Sequence, residues 1–158
     1  MFSGKFVAGT QGAEPAFALR KEVFVDEQGF PAGSEIDDAD AQAHHLMIFV
    51  EGACIATGRL IMEAPGEFRI GRICVRKEDR GEGYGDLVMR LLIDRAMQCM
   101  AKTVHLHAQL PVVPFYQKYG FLTEGEPFDE EGQPHIAMIG HTDRMIFPRK
   151  CKAMEQNQ

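Results

Sequence analysis

Three alternating glycines, Gly81, Gly83 and Gly85, separate the short apolar run Ile73–Val75 from an amphipathic stretch that begins at Tyr84. Glycine has no side chain to keep a ligand from the backbone, and successive N–H groups of such a turn can point to one side. The N-terminus of the helix predicted behind the turn would add a partial positive charge. The segment therefore predicts a site for an anion such as a phosphate. The alternative is a plain strand-to-helix turn.

The turn does not match the common nucleotide motifs. A dinucleotide fingerprint requires G-x-G-x-x-G, and the sixth residue counted from Gly81 is Asp86. A Walker A loop requires Gly-Lys-Ser/Thr, which is absent from the sequence. Nucleotide hydrolysis and hydride transfer are therefore disfavoured.

Composition predicts a single globular domain that spans residues 1–158, since 45% of the residues are hydrophobic. The net charge of −6 argues against a nucleic-acid partner. The N-terminal segment lacks a signal-peptide pattern, and the longest clean apolar run, Leu46–Val50, is too short for a bilayer. These features predict a cytoplasmic protein with no membrane partner.

The cysteines form no C-x-x-C pair, which disfavours a zinc site or a disulfide framework. Reduced thiols in the core of a cytosolic protein are expected instead. The four positions are Cys54, Cys74, Cys99 and Cys151.

The periodicity of apolar residues predicts strands and helices in the order β-α-β-β-β-α-β-α-β-β, an α/β arrangement with a mixed sheet. The segments FDEEGQP and GFPAGSEIDDADAQ are predicted loops, and Glu51-Gly52 is a predicted hairpin turn. The predicted strands are 5–9, 46–50, 54–62, 68–75, 103–108, 121–124 and 135–139, and the predicted helices are 14–28, 84–96 and 112–119.

Two motifs in order resemble the GNAT family of N-acetyltransferases. The segment RGEGYG, residues 80–85, matches R/Q-x-x-G-x-G/A, the loop that holds the pyrophosphate of acetyl-CoA in that family. About thirty residues later, PFYQKYGF, residues 114–121, resembles the family's F-Y-x-x-x-G-F segment. The resemblance implies a mostly antiparallel sheet with a central splay between two parallel strands, flanked by helices.

Two narrower resemblances concern the flanking segments. LRKEVFVDEQGFPAGSEIDDADAQAHHL and GQPHIAMI resemble the small bacterial ElaA/YjcF-like branch of predicted acetyltransferases. The spacing of Arg20, Phe24, Glu35, Asp37 and Asp40 is also similar to that of acyl-homoserine-lactone synthases, which use another acyl donor. Those synthases are not expected to carry the glycine loop, so they rank second.

The GNAT resemblance assigns coenzyme-binding roles to residues around the turn. The pantetheine arm would pair with the backbone of Ile73, Cys74 and Val75, and the N–H of Val75 would polarise the thioester carbonyl. The remaining predicted coenzyme contacts are Arg80, Gly81, Glu82, Gly83, Tyr84, Gly85 and Phe115.

Direct transfer of an acetyl group to an amine also requires proton donors and acceptors. The GNAT resemblance implies Tyr116 as the acid for the leaving thiolate, with packing against the coenzyme or the core as the alternative. Tyr119 is expected in the core. The residues leave four candidate bases open, namely Glu27, His45, Glu63 and His107.

Two polar groups have a structural and a functional interpretation. His105 and His107 share a strand face, but no third ligand has suitable spacing, so hydrogen-bonded histidines are favoured over a metal pair. The acidic cluster of Glu35, Asp37, Asp38 and Asp40 could attract a cationic substrate, although a solvated loop with a helix cap is favoured. No metal is predicted.

Three hypotheses for the function follow. The first is an acetyl-CoA-dependent N-acetyltransferase that acts on a small-molecule, peptide or protein amine. The second is an acyltransferase of the synthase-like kind, and the third is a sensor that binds acetyl-CoA without turnover. A homodimer is common among relatives, but no segment of this sequence specifies one.

Overall fold

The computed structural model describes residues 1–148 and 151–155. Its strands are β1 Phe2–Ala8, β2 His44–Val50, β3 Ala53–Ala64, β4 Glu67–Val75, β5 Thr103–Gln109, β6 Leu122–Glu130 and β7 Gln133–His141. Its α-helices are α1 Glu14–Arg20, α2 Tyr84–Gln98, α3 Val113–Gln117 and α4 Lys152–Glu155. Short 3-10 turns cover Asp38–Gln42, Lys77–Asp79, Leu110–Val112 and Thr142–Arg144.

The strands form one sheet in the order β1-β2-β3-β4-β5-β7-β6. Every neighbouring pair is antiparallel except β4 and β5, which run parallel. That parallel pair is short, since it extends only from Glu67 opposite Thr103 to Arg69 opposite His105. Beyond that point the two strands diverge, so the predicted mixed sheet with a central splay is confirmed.

An extra residue in β4 accompanies the divergence. Thr57 pairs with Cys74 and Arg59 pairs with Gly71, so one residue of β3 faces two residues of β4. Arg72 is one of these two, and its φ of 53° lies in the left-handed region. Such a bulge bends the strand that carries it and increases its twist. The second half of β4 is thereby turned away from β5.

Helix α2 packs its apolar face on the sheet, as the spacing of its residues predicted. Opposite the bulge, a Cβ on Gly58 would lie 2.7 Å from Leu92 and 2.9 Å from Val88, so this glycine lets the helix approach closely. Tyr119 and Phe121 are buried in the same core. The buried residues of α2 are Leu87, Val88, Met89, Leu92, Ile93 and Ala96.

Two predicted helices differ from the structure. The first helical segment covers almost the expected range, but only α1 is α-helical, and Lys21–Glu27 is a π-helix. The N–H of Gln28 bonds to the carbonyl of Val23 at 3.0 Å, five residues back, as that geometry requires. Helix α3 is also shorter than the predicted helix 112–119.

The predicted loop FDEEGQP is wrong. Strands β6 and β7 run through it and leave only Glu131 and Gly132 as a tight turn, with φ values of 50° and 78°. Both central residues therefore have positive φ, as in a type I′ hairpin turn. The predicted hairpin turn at Glu51 and Gly52 is confirmed, with φ values of 51° and 81°.

The cysteines are all unpaired thiols. Cys74 and Cys151 are buried and Cys54 is half-buried, whereas Cys99 is exposed, so the expected core position is wrong for Cys99. Among the helices that the structure describes, none combines the length and the apolar composition that crossing a bilayer requires.

Candidate active site

The open edge of β4 faces a cleft of about 740 Å³. Its walls come from β4, β5, the π-helix, the start of α3 and the β6–β7 hairpin. The glycine turn does not line the cleft itself, but it follows Arg80, which does. Of the residues predicted for coenzyme binding or catalysis, six line the cleft: Ile73, Cys74, Val75, Arg80, Phe115 and Tyr116.

The glycine turn leaves backbone amides without helical partners. Gly83 is the N-cap of α2, no side chain caps the helix, and its first backbone bond runs from the N–H of Leu87 to the carbonyl of Gly83. The N–H groups of residues 83–86 are therefore the donors that every helix leaves unpaired in its first turn. In the described part of the chain, no backbone-to-backbone bond outside helices and strands uses the N–H of Gly81. These donors can hold an anion.

Two glycines of the turn are required for different reasons. Gly81 has a φ of +82° with open space around its Cβ position, so only its backbone conformation demands glycine. Gly83 has a φ of +87°, and a Cβ there would also lie 2.7 Å from the backbone nitrogen of Ala153. The C-terminal segment thus packs directly against the turn, and the Nζ of Lys152 donates to the carbonyl of Gly81 at 2.6 Å. The sequence analysis did not identify this contact.

The side chain of Arg80 connects the turn to two neighbouring segments. Its Nε donates to the carbonyl of Val75 at 3.0 Å, and its terminal nitrogens donate to both carboxylate oxygens of Glu27 at 2.5 and 2.7 Å. The hydrogen bond from Arg80 lowers the pKa of Glu27, and the same bond raises the pKa of Arg80. Glu27 is therefore an ion-pair partner of Arg80 in the free protein.

The backbone of Val75 faces the cleft. The N–H of the next residue, Arg76, bonds to the carbonyl of Ile55 on β3 at 2.7 Å. In an antiparallel pair, successive residues direct their N–H and C=O groups to opposite sides. The N–H and C=O of Val75 therefore point away from β3, toward the open edge, and the contact between the carbonyl of Val75 and Arg80 agrees with this.

The two tyrosines of the Phe-Tyr segment have different environments. The hydroxyl of Tyr119 is buried and donates to Asp86, so Tyr119 is a core residue as expected. Tyr116 lines the cleft and packs edge-on against Phe115 at 5.2 Å between ring centroids. Burial raises the pKa of Tyr116 to about 12, so its phenol keeps its proton at neutral pH and can donate it.

Of the four candidate bases, His107 alone lines the cleft. His45 is completely buried and hydrogen-bonded to Arg20 and to the carbonyl of Asp40. Glu27 is bound to Arg80, as described above, and Glu63 accepts from Arg69.

Only one histidine of the predicted pair, His105 and His107, lies at the cleft. His105 contacts the hydroxyl of Thr103 at 3.3 Å and does not line the cleft, unlike His107. Among the described residues, no three His, Cys, Asp or Glu side chains are arranged to hold a metal ion.

The acidic cluster is part of a buried ion network. Asp37 caps the 3-10 turn with a capping box, so the predicted cap is confirmed. Asp40 is 1% exposed and accepts from Arg20 at 2.7 Å and from Arg59 at 2.9 Å. The expected solvated loop is therefore wrong for Asp40, and also for Glu35, which is 7% exposed. No sequence pattern predicted that Arg20 and Arg59 bind the carboxylate of Asp40.

Arginine contacts keep the network ionised. The hydrogen bond from Arg59 lowers the pKa of Asp37. Burial alone would raise the pKa of Asp40, but hydrogen bonds from Arg20 and from the backbone of Asp37 outweigh it, and the pKa is lowered. Desolvation lowers the pKa of His45.

Comparisons with known proteins agree on one family. A model of the "Acetyltransferase (GNAT) domain" family matches residues 18–140. The uncharacterized N-acetyltransferase YjcF of Bacillus subtilis is 38% identical over 126 residues, which cover 78% of this chain and 89% of YjcF. The crystal structure of Escherichia coli ElaA is 27% identical with a TM-score of 0.80, over 89% of this chain and 100% of ElaA. An acyl-CoA N-acyltransferase from Pseudomonas aeruginosa is 30% identical with a TM-score of 0.81, over 89% of this chain and 99% of that one.

The resemblance to ElaA and YjcF is thereby confirmed. The second resemblance, to acyl-homoserine-lactone synthases, is more distant. The CoA-dependent synthase BjaI has a TM-score of 0.75 at 15% identity, which shows a shared fold alone.

Proposed function

Because the chain belongs to the GNAT family of acetyltransferases, we propose that it moves the acetyl group of acetyl-CoA to a primary amine while both substrates are bound. One observation supports this proposal above the others. The unpaired amides at the start of α2 adjoin the open edge of β4, and that edge leads into a cleft of about 740 Å³.

The residues of the turn and of β4 suit the two parts of coenzyme A. The pyrophosphate would lie on the N–H groups of residues 81–85, with the cation of Arg80 beside it. The pantetheine arm would pair with the exposed backbone of Ile73–Val75, as an added strand pairs with a sheet edge. Phe115 would pack against the coenzyme at the cleft wall.

Two groups would assist the transfer. Acetyl-CoA supplies the acetyl group as a thioester, whose carbonyl oxygen would accept a hydrogen bond from the N–H of Val75. Tyr116 would donate its proton to the departing sulfur. Cys74 also lines the cleft, but burial raises its pKa to about 12, so its thiol is a poor nucleophile. Direct attack by the amine is therefore favoured over an acetyl-cysteine intermediate.

The first experiment measures acetyl-CoA binding by calorimetry for the wild type, Arg80→Gln and Arg76→Gln. Arg76 is the matched control, because it pairs with Asp79 and does not line the cleft. Loss of a charged hydrogen bond to phosphate is expected to weaken binding by about 10- to 100-fold in Arg80→Gln. Arg76→Gln should bind as the wild type does. Equal affinity in all three proteins would contradict the proposed coenzyme site.

The second experiment measures thiol release from acetyl-CoA with spermidine, lysine, glucosamine and a lysine-containing peptide. Release that depends on one of these amines supports the transferase. Tight binding of acetyl-CoA without release from pH 6 to pH 11, a range that includes the ~10.4 pKa of an alkylammonium, would favour the sensor instead. Failure to bind acetyl-CoA would favour the synthase-like hypothesis with another acyl donor.

A further inference from the structure

His107 lies where the sheet opens. The last paired residues of the parallel strands are Arg69 and His105, and His107 is two residues further along β5. Its side chain lines the cleft that Tyr116 and Val75 also line. An imidazole at this position can reach a molecule held between the diverging strands.

Two hydrogen bonds define the tautomer of His107. A terminal nitrogen of Arg69 lies 3.1 Å from its Nε2, and a carboxylate oxygen of Glu130 lies 3.0 Å from its Nδ1. A guanidinium donates and never accepts, so Nε2 must present its lone pair. Nδ1 then carries the proton and donates it to Glu130. A neutral imidazole with a basic Nε2 is the form that a general base requires.

Neighbouring side chains pack around the imidazole ring of His107. The second carboxylate oxygen of Glu130 lies 3.5 Å from the Nε2 of His135, which is 6% exposed. The ring of Phe128 contacts His107 edge-on at 4.9 Å between centroids and stacks near His135 at 6.2 Å. The charged and titratable side chains around His107 are Arg69 on β4, Glu130 on β6, His135 on β7 and, through Arg69, Glu63 on β3.

We propose that His107 is the general base that deprotonates the acceptor amine and that Glu130 positions it. This inference rests on the proposed function. The ammonium N–H bond breaks, its proton moves to Nε2, and the electron pair stays on the amine nitrogen. That nitrogen bonds to the thioester carbon, the C–S bond breaks, Tyr116 protonates the departing thiolate, and the second amine proton restores the phenol. The imidazolium is stabilised by Glu130 and returns the proton to water. The amine would have to displace the terminal nitrogen of Arg69 from Nε2, and Arg69 would keep its hydrogen bond to Glu63.

The experiment compares His107→Gln with His105→Gln, the neighbouring histidine outside the cleft. With the best acceptor of the four amines above, His107→Gln should lower kcat/KM by about 100-fold or more, as loss of a general base does. It should also lose the wild type's acidic limb, and its rate should instead follow the free amine and rise with pH up to the amine pKa of about 10.4. His105→Gln should keep both the rate and the limb. Glu130→Gln should give a smaller loss of about 10-fold, since its amide oxygen still accepts from Nδ1.

Two readouts without turnover test the geometry directly. Nitrogen-15 NMR of the imidazoles at pH 8 should show His107 as the Nδ1–H tautomer in the wild type, and acetyl-CoA affinity by calorimetry should be equal in both histidine variants. An Nε2–H tautomer would overturn the proposal, and so would an active His107→Gln variant that keeps the acidic limb. A wild type that binds acetyl-CoA yet acetylates none of the four amines would overturn the proposed function, and with it the role of His107.

Discussion

Two groups of charged side chains flank the cleft, and they differ in how deeply they are buried. Around Asp40, each carboxylate oxygen has protein partners, and the carboxylate and Arg20 are 1% and 0% exposed. Around His107, the imidazole and Glu130 are 35% and 41% exposed. Buried ion pairs act on stability, whereas accessible titratable groups in a cleft can exchange protons with a substrate.

The largest expected effect concerns the buried group. Asp40→Asn keeps the shape of the side chain but leaves Arg20 and Arg59 without their shared negative partner. Breaking a buried ion pair in this way costs about 3–5 kcal/mol of unfolding free energy, measured by urea denaturation. Glu130→Gln is the control, and it should cost less than about 1 kcal/mol because its partners are partly exposed. A loss below about 1 kcal/mol in Asp40→Asn would remove the distinction between the two groups.

Tyr116 and Tyr119, three residues apart in the chain, show the same contrast between a group at the cleft and a group in the core. Tyr116→Phe removes a phenol that faces the cleft, so the proposed acid is lost, and kcat is expected to fall about 100-fold in the thiol-release assay. Tyr119→Phe removes a hydroxyl bonded to Asp86 in the core. That variant should instead lose about 1 kcal/mol of stability and retain the rate. Equal rates in Tyr116→Phe and the wild type would assign Tyr116 a packing role.

The pH dependence of stability should report on the ion network around Asp40. The folded pKa values of His45, Asp37 and Asp40 are all lowered, so the unfolded chain binds more protons as the pH falls. Stability should therefore decline first below pH ~6.5 through His45, and then again below pH ~3.9 through the two aspartates. Each proton contributes up to about 1.4 kcal/mol per pH unit.

Denaturation at a series of pH values from 8 to 3 measures this decline. His45→Gln should abolish the step below pH ~6.5 and leave the lower one. A wild type whose unfolding free energy is constant between pH 8 and pH 4 would contradict the buried, neutral state of His45.

The smallest effect concerns a second partly exposed ion pair. Glu27 and Arg80 are 30% and 39% exposed, so their ion pair is worth about 1 kcal/mol or less. Glu27→Gln removes a carboxylate that competes with the pyrophosphate for Arg80. Acetyl-CoA binding is therefore expected to tighten by about twofold to fivefold at low salt, measured by calorimetry. The gain should shrink at high salt because exposed charges are screened. Weaker binding would show that Glu27 holds Arg80 in place for the coenzyme.

The sequence predicted the layout of the sheet and α2 because those elements have clear periodicity. It identified one hairpin turn and missed the other, although both are Glu-Gly pairs. Glu51-Gly52 lies between apolar strands, whereas the strands beside Glu131-Gly132 are polar and include Pro134, so they lacked the strand pattern. The π-helix was also missed, since its residue pattern does not differ from that of an α-helix at this length.

The sequence predicted only the part of the candidate site whose residues are close together in the chain. Gly81, Gly83 and Arg80 follow one another in the chain, so the turn could be recognised from a short motif. The partners of Asp40 are distant in sequence, since Arg20 and Arg59 come from different elements that only the fold brings together. The contact between Lys152 and Gly81 spans 71 residues and depends on tertiary packing in the same way.

The bulge at Arg72 shows how little chain is needed to open a sheet. Without that single additional residue, Gly58 would face one partner on β4, and the strand could run on beside β5 as a closed ladder. Such a protein would keep its interior and its helices, but it would have no slot to admit a long, flexible substrate arm. Deleting one residue at this position is therefore expected to remove coenzyme binding while the fold is kept.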